Sequence, residues 1–445
     1  MDNELDHRSR SASVLQAFAQ WVVLGAAVGV LAGLASAAFL YLLGRATAFR
    51  ESHPVIVYTL PLAGAVIGAL YARFGTQILG GNNLVLDTVH EDSPEIPFRM
   101  APMVLLGTVL THLFGGSAGR EGTAVQMGAS LADFLSHRLR LDAEMRRELL
   151  TAGIAGGFGS VFGTPIAGAV FGLEVVVVGR MGYEALVPAL VASVVGDLVT
   201  RGVGIVHTVY PSPGALPLTP GLLTRWIVFG VAVALTAVAF VELTHFLKVR
   251  AARWIPSLPL RMAVGGALVV GMWLGVGTDD YLGLGIPTIL RAFSDPSLPA
   301  TAFALKLVFT AVTLSAGFLG GEVTPLFFVG AALGNALGRL LGLPLDLAAG
   351  VGLAAMFAAA SNTPLALSIM AVELMGAHLF PHVVIVSVVA WLFSGHRGIY
   401  PSQRIARLKH GGPLMKRLVS LHALEAPKRD PKKEEGPAIC RRSAR

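Results

Sequence analysis

The sequence contains little cysteine and little charge, and each shortage excludes a class of protein. Its only cysteine is Cys440, in the C-terminal tail, so disulfide bonds within the chain and cysteine-ligated metal sites are excluded. Only 14% of the 445 residues are charged, 54% are hydrophobic, and the mean hydropathy is +0.68. A soluble domain of this length needs more charge to cover its surface, whereas lipid-facing helices need none. The composition therefore predicts an integral membrane protein.

The net charge of +7 is concentrated in the tail, residues 401–445, which carries 12 Lys or Arg and four Asp or Glu. A basic segment after the last apolar run is typical of a cytoplasmic tail and can contact anionic lipid headgroups. The alternative is a solvated tail that contacts nothing. Because the excess charge lies in this tail, the sequence gives no reason to predict a nucleic-acid partner.

Apolar runs follow one another from Val14 to Phe393, after a polar N-terminal segment of residues 1–13. Several runs are shorter than the roughly 20 residues that crossing a bilayer requires, because glycine, proline or a charge interrupts them. The pattern predicts an all-α membrane protein with many tilted and broken helices. Broken helices leave backbone N–H groups and helix dipole ends facing a cavity, which is how such folds build ion sites.

An internal repeat predicts two membrane halves, residues 14–220 and residues 221–400. Residues 153–174, GIAGGFGSVFGTPIAGAVFGLE, align without a gap with residues 352–373, GLAAMFAAASNTPLALSIMAVE. Both copies contain Thr-Pro and a glutamate nine residues after the proline. Upstream, GREGTAVQMGASL from Gly119 aligns with GEVTPLFFVGAAL from Gly321. The repeated order of segments favours a duplication over a coincidence between Gly/Ala-rich helices.

The segment GREGT places Arg120 and Glu121 between Gly119 and Gly122, directly before an apolar run. The glycines let the backbone turn and bring N–H groups close to an anion at the N-terminus of the following helix. Glu121 then competes with the anion and, once protonated, moves clear and carries a proton. The alternative is an ion pair between Arg120 and Glu121 in a surface loop.

The matching segment of the second half, GGEVTPLF, contains Glu322, Val323 and Thr324 at the start of another apolar helix. Thr324 is well placed as the N-cap of this helix, with the following proline in the first turn. Its hydroxyl is equally suited to an ion. Asn82 and Asn83 in LGGNNLVLD offer neutral amide donors to an anion, and a simple Gly-Asn turn is the alternative.

Three further acids, Glu174, Glu373 and Glu242, are predicted to have structural roles, such as partners of arginines or of backbone N–H groups at helix ends. The 12 histidines show no metal-ligand spacing. No nucleophile motif, phosphate loop or dinucleotide fingerprint is present in a strand-to-helix setting. The sequence therefore predicts no metal, no cofactor and no enzyme.

These motifs and the terminal GIYPSQR, which contains Tyr400, resemble the CLC family of anion channels and anion/proton antiporters. The similarity extends over about Val14 to Arg407. It implies a homodimer in which each subunit has its own pore and two inverted halves, with helix N-termini meeting at a central anion. It also implies that Glu121 is the gating glutamate and that Tyr400 supplies a hydroxyl to the anion.

Three departures make the chain similar to the fluoride/proton antiporter branch of bacterial CLC proteins. Asn82 replaces the serine of the chloride carriers, Val175 stands where their antiporters have an inner proton glutamate, and Glu322 replaces an apolar residue. In that branch the glutamate and threonine of GGEVTP serve the proton and fluoride route. The anion-binding residues implied here are Asn82, Asn83, Gly119, Arg120, Gly122, Val323, Thr324 and Tyr400.

The resemblance implies a protein of the bacterial inner membrane that exports fluoride in exchange for protons and so confers fluoride resistance. The apolar runs predict a multi-pass protein, and the basic charge of the tail predicts that it is cytoplasmic. Glu121 is then the gate and Glu322 serves the inner proton relay. A chloride/proton antiporter or a passive anion channel is the alternative within the family. A membrane-embedded enzyme or an unrelated cation-coupled carrier is the alternative from another class, for which the sequence shows no nucleophile and base.

Overall fold

The structure of the protein is a computed structural model that describes residues 2–90, 95–411 and 418–425. Cys440 and most of the basic tail lie outside these residues. The helices of the first half are α1 (Asp2–Ser52), α2 (Leu60–Phe74), α3 (Asn82–Val89), α4 (Met100–Leu113), α5 (Glu121–Arg138), α6 (Ala143–Phe162), α7 (Pro165–Val175) and α8 (Leu186–Gly202).

The helices that follow are α9 (Pro220–Trp254), α10 (Leu258–Val276), α11 (Ile286–Arg291), α12 (Ala302–Ala316), α13 (Val323–Leu341), α14 (Leu345–Ser361), α15 (Pro364–Met375), α16 (Phe380–Phe393) and α17 (Leu421–Glu425). Three two-residue strands, β1 (Val177–Val178), β2 (Arg404–Ile405) and β3 (Val419–Ser420), form a small sheet. Strand β1 pairs with β2 in parallel, and β2 pairs with β3 antiparallel.

Within the described residues, six helical segments are long and apolar enough to cross a membrane. The other apolar helices are shorter, because glycines and prolines end them, and this confirms the predicted mixture of long and broken helices. Helix α1 begins at Asp2. Residues 2–13, most of the predicted polar N-terminal segment, therefore form the first turns of this helix. The limits of the two halves stay predictions.

The two halves repeat the same helix packing. A Cβ on Gly128 of α5 would lie 2.2 Å from the carbonyl oxygen of Gly153 on α6. In the second half, a Cβ on Gly330 of α13 would lie 2.2 Å from the carbonyl oxygen of Gly352 on α14. Only glycine lets these backbones approach so closely. The contacting positions are the ones that align in the sequence, in agreement with the predicted repeat.

Two glutamates join the halves through reciprocal hydrogen bonds. The carboxylate of Glu174, at the end of α7, accepts hydrogen bonds from the N–H groups of Ala366, at 2.8 Å, and of the residue before it, at 3.1 Å. Glu373 on α15 accepts equivalent bonds from the N–H of Ala167, at 2.7 Å, and of its preceding residue, at 3.0 Å. Each carboxylate thus satisfies the free N–H groups at the start of the other half's helix. The predicted helix-end role of these two glutamates is confirmed.

The segment after Tyr400 is anchored against both halves. The buried side chain of Gln403 donates hydrogen bonds to the carbonyl oxygens of Val175, at 2.8 Å, and Ser361, at 3.1 Å. Further along, the ammonium group of the buried Lys409 donates to the carbonyl oxygen of Trp391 at 2.7 Å. Burial lowers the pKa of Lys409 to about 7. The first residues of the tail are therefore part of the folded protein, unlike the freely solvated tail of the alternative.

Candidate functional site

Glu121 is the first residue of α5, and its side chain is only 1% exposed. Its carboxylate accepts a hydrogen bond from the backbone N–H of Thr324 at 3.1 Å. The Thr324 hydroxyl lies 2.6 Å from both carboxylate oxygens. The negative charge of Glu121 therefore lies at the N-terminus of α13, the helix that begins the matching motif of the second half. A helix N-terminus stabilises an anion through its free N–H groups and its dipole.

Thr324 is not the N-cap of its helix, which excludes one of the two roles that the sequence offered for it. Glu322 is the N-cap, α13 begins at Val323, and Thr324 is already helical, with Pro325 in the first turn. No side chain of the same segment caps this helix. The carboxylate of Glu121 performs that function from the other half, so the hydroxyl of Thr324 is directed at an acceptor far away in sequence.

The loops before α5 and α13 are joined by their backbones. The N–H of Gly119 donates to the carbonyl of Gly321 at 2.6 Å, and the N–H of Gly321 donates to the carbonyl of Gly119 at 2.8 Å. A Cβ on Gly122 would lie 3.1 Å from the Cα of Gly321 and 3.0 Å from the amide nitrogen of Asn82. The first residues of α3, α5 and α13 therefore meet at one place.

Arg120 is the residue directly before α5 and connects the start of this helix to Thr208. Its guanidinium contacts the Glu121 carboxylate at 3.3 Å and donates to the Thr208 hydroxyl at 3.4 Å. The side chain of Arg120 is 14% exposed. The two residues do form an ion pair, but the burial of Glu121 rules out the surface loop of the alternative interpretation.

A cavity of about 250 Å³ lies beside the meeting point. The cavity is lined by the predicted residues Asn82, Asn83, Glu322 and Tyr400, which together span more than 300 positions of the chain. Tyr400 is 5% exposed, and Glu322 is half-buried. The structure therefore brings the three motifs and the terminal tyrosine to one cavity, with the contact between Glu121 and Thr324 next to it.

The two asparagines have different surroundings. The side-chain oxygen of Asn83 accepts a hydrogen bond from the backbone N–H of Ser402 at 3.1 Å, and so fixes the turn that follows Tyr400. Asn82 has its amide nitrogen beside Gly122, and its side-chain oxygen is buried with no hydrogen-bond partner among the described residues. Asn83 therefore positions the backbone near Tyr400, while the amide of Asn82 faces the site.

Several residues of the cavity wall were missed by the sequence analysis. The hydroxyls of Thr108 and Thr123 lie 2.7 Å apart, and both residues line the cavity together with Gln126, Thr244 and Lys248. Thr123 is the last residue of GREGT, and Gln126 follows it by three positions, on the same face of α5. That spacing was a usable signal. Thr244 and Lys248 lie on α9, and no sequence signal identified them, because their position at the cavity depends on tertiary packing.

Comparisons with known proteins agree with this geometry. The family model for voltage gated chloride channels matches residues 63–395. The chain belongs to the CLC family. This CLC protein is 48% identical over 413 residues to a "Chloride/fluoride channel protein" of Pseudomonas syringae pv. tomato. The aligned region covers 92% of this chain and 91% of that protein.

Solved CLC structures have the same fold. The crystal structure of a CLC-type fluoride/proton antiporter matches with a TM-score of 0.85 and 36% identity, over 87% of this chain and 98% of that one. A slow cyanobacterial Cl⁻/H⁺ antiporter matches with a TM-score of 0.73 and 18% identity, over 84% and 94% of the two chains. The predicted CLC-like helical fold is confirmed, and the chain is a multi-pass integral membrane protein.

Proposed function

We propose that this CLC protein is an antiporter that exports fluoride in exchange for protons, with Glu121 as the gate and Glu322 as the inner proton carrier. The observation that carries the proposal is the position of the Glu121 carboxylate. A titratable anion lies at the start of α13, bound by an N–H and a hydroxyl of Thr324. A halide at the same place needs the same donors, so protonating Glu121 and admitting the anion become linked steps.

The donors around the site suit fluoride. Fluoride is small and strongly hydrated, so a site must replace its water with several short, charge-assisted hydrogen bonds. The amide of Asn82, the hydroxyls of Thr108, Thr123 and Tyr400, and helix N–H groups are donors of this kind. The fluoride/proton antiporter at 36% identity and the chloride/fluoride channel protein at 48% identity support this choice of anion.

The proposal includes the physiological setting. Fluoride enters cells as the neutral weak acid and dissociates inside, so its removal requires a driving force. Each proton that moves inward across 100 mV supplies roughly 2.3 kcal/mol. The bacterial origin of the 48% identical relative supports a bacterial inner membrane. The cytoplasmic tail, which its basic charge predicts, and the homodimer, which the family resemblance implies, complete the proposal.

The test is transport by the purified protein in liposomes, with fluoride and chloride measured side by side. An imposed proton gradient is expected to drive fluoride across the membrane against its own gradient, because exchange couples the two ions. A passive channel, which the name of the 48% identical relative suggests as the second candidate, cannot do this. Chloride moving in preference to fluoride under the same gradient would instead identify a chloride/proton antiporter.

The environments of the two asparagines predict different effects on selectivity. Asn82→Ala removes the amide beside Gly122, so fluoride efflux is expected to fall about ten-fold, the value of one hydrogen bond to an ion, and to fall more than chloride efflux. Asn83→Ala releases the turn after Tyr400 and is expected to slow both anions alike. Anion-specific electrodes measure both rates in one liposome preparation. Equal fluoride-to-chloride ratios in the two variants would contradict the assignment.

A further inference from the structure

The last turns of α9 extend beyond the hydrocarbon layer of the membrane. The helix has 35 residues. At 1.5 Å per residue it is roughly 52 Å long, whereas the hydrocarbon core of a bilayer is about 30 Å thick. Arg225 lies near the start of the helix, and Lys248, Arg250 and Arg253 lie near its end. The turns from Lys248 onward are therefore at the level of the lipid headgroups.

This end of α9 is on the same side of the membrane as the basic tail. Glu242, about three turns before the end, accepts a hydrogen bond from Arg397, between α16 and the tail. His245 and Lys248 of α9 line one pocket together with His422 of α17. The basic charge of the tail predicts that this side is cytoplasmic, and the cytoplasmic leaflet carries a negative surface potential.

Three side chains spaced four residues apart form a stack on one face of these turns. The Arg250 guanidinium lies 4.9 Å from the centre of the Phe246 ring and 5.9 Å from the centre of the Trp254 ring. Phe246 is 52% exposed and Trp254 is 71% exposed. Arg250 is exposed as well. The cation–π contacts therefore hold the guanidinium on the outer surface of the protein without neutralising its charge.

The positive charge of this stack has no counter-charge in the described part of the chain. Within residues 2–90, 95–411 and 418–425, no carboxylate forms an ion pair with Arg250 or with Arg253. By contrast, Arg201 and Arg291, which are exposed to a similar degree, each pair with an aspartate. Residues three apart on a helix are neighbours, so Arg250 and Arg253 can bind the same anionic group.

The neighbouring side chains indicate that this anionic group belongs to a lipid. Val249 is 53% exposed on the turn that also contains Phe246, and the two provide an apolar surface for an acyl chain. Guanidinium groups bind phosphate through two parallel hydrogen bonds, and tryptophan is enriched at the headgroup level of membranes. A free phosphate ion would use the two arginines and leave the apolar surface uncovered.

We propose that the end of α9 is a binding site for an anionic phospholipid, whose phosphate contacts Arg250 and Arg253 and whose acyl chain lies along Phe246. The same helix contributes Thr244 and Lys248 to the cavity of the ion site, so the lipid contacts an element of that cavity wall. Lipid binding at this place does not depend on which ion the protein transports. Its test is therefore separate from that of the proposed function.

The first test is quenching of tryptophan fluorescence by phosphatidylglycerol and phosphatidylcholine with brominated acyl chains, added to the purified full-length protein in detergent micelles. The signal of Trp254 is the difference between the parent and Trp254→Phe, which keeps an aromatic ring beside Arg250. Phosphatidylglycerol is expected to quench it half-maximally at an about 25-fold lower mole fraction than phosphatidylcholine, about five-fold for each arginine. Equal quenching by the two lipids would overturn the inference.

The second test repeats the titration with changed arginines. Arg250→Gln with Arg253→Gln is expected to abolish the preference for phosphatidylglycerol, because both phosphate contacts are lost. Arg250→Lys keeps the charge but not the planar group, so part of the preference is expected to remain. Arg138→Gln is the matched control, since Arg138 is also exposed and follows the exposed Phe134 by four residues. A preference that survives in the double variant, or that the control loses equally, would exclude this site.

Discussion

Replacing Glu121 by alanine is expected to lower fluoride-driven proton uptake by at least about a hundred-fold, the contribution of a positioned acid–base group. The variant loses the only carboxylate bound to the N–H and hydroxyl of Thr324 among the described residues, so the anion path stays open while its titratable gate is gone. Proton uptake is measured with an internal pH dye while an electrode follows fluoride in the same liposomes.

Two further variants sharpen the experiment on the gate. Glu121→Gln keeps the size of the side chain and an oxygen acceptor for Thr324, but it cannot titrate, so it is expected to leave the path blocked and to slow both ions. Glu184→Ala removes an exposed glutamate that pairs with Arg180 and serves as the control. Fluoride-dependent proton uptake that persists in Glu121→Ala would refute the proposed role of this residue.

Removing Glu174 is expected to destabilise the protein by about 3 kcal/mol, because two hydrogen bonds to a buried charged group are lost and two N–H groups stay unpaired. Glu373→Ala is expected to cost somewhat less, since that side chain is only half-buried. Both variants are compared with the parent by denaturant unfolding in detergent, followed by tryptophan fluorescence.

The reciprocity of the two caps adds a sharper expectation. Each carboxylate joins the same pair of helices, α7 and α15, so the double variant is expected to deviate from the sum of the single effects. Glutamine at position 174 retains one acceptor and should recover part of the loss. Glu184→Ala is again the exposed control. Strict additivity, or no difference between Glu174→Ala and the control, would contradict the role of this pair in holding the halves together.

The fold was predictable from the sequence to the extent that each signal was local or repeated. The alignment of Gly128 with Gly330 and of Gly153 with Gly352 identified positions that the structure shows in equivalent close contacts. The sequence predicted that Glu174 has a structural role at a helix end, because an acid at the end of an apolar helix requires a partner. The partner itself, at the start of α15, could not be predicted, since nothing local specifies it.

The sequence predicted which residues belong to the site, but not the contacts that they make with one another. The motifs named Glu121, Thr324, Asn82 and Tyr400, and the structure brings the last two to one cavity beside the contact between the first two. The N-cap role considered for Thr324 was wrong because sequence rules for helix caps consider only neighbouring residues. Here the acceptor for the N–H of Thr324 at the start of α13 is Glu121, which is far away in the sequence.

The backbone bridge between Gly119 and Gly321 limits how the transporter can move. With the two loops fastened to each other, neither can swing away without breaking both N–H to carbonyl bonds in a dry interior. We therefore expect the backbone of these two loops to move little during transport. On this expectation, the conformational changes of transport are rotamer changes of side chains such as Glu121 rather than rigid-body movements of the two halves.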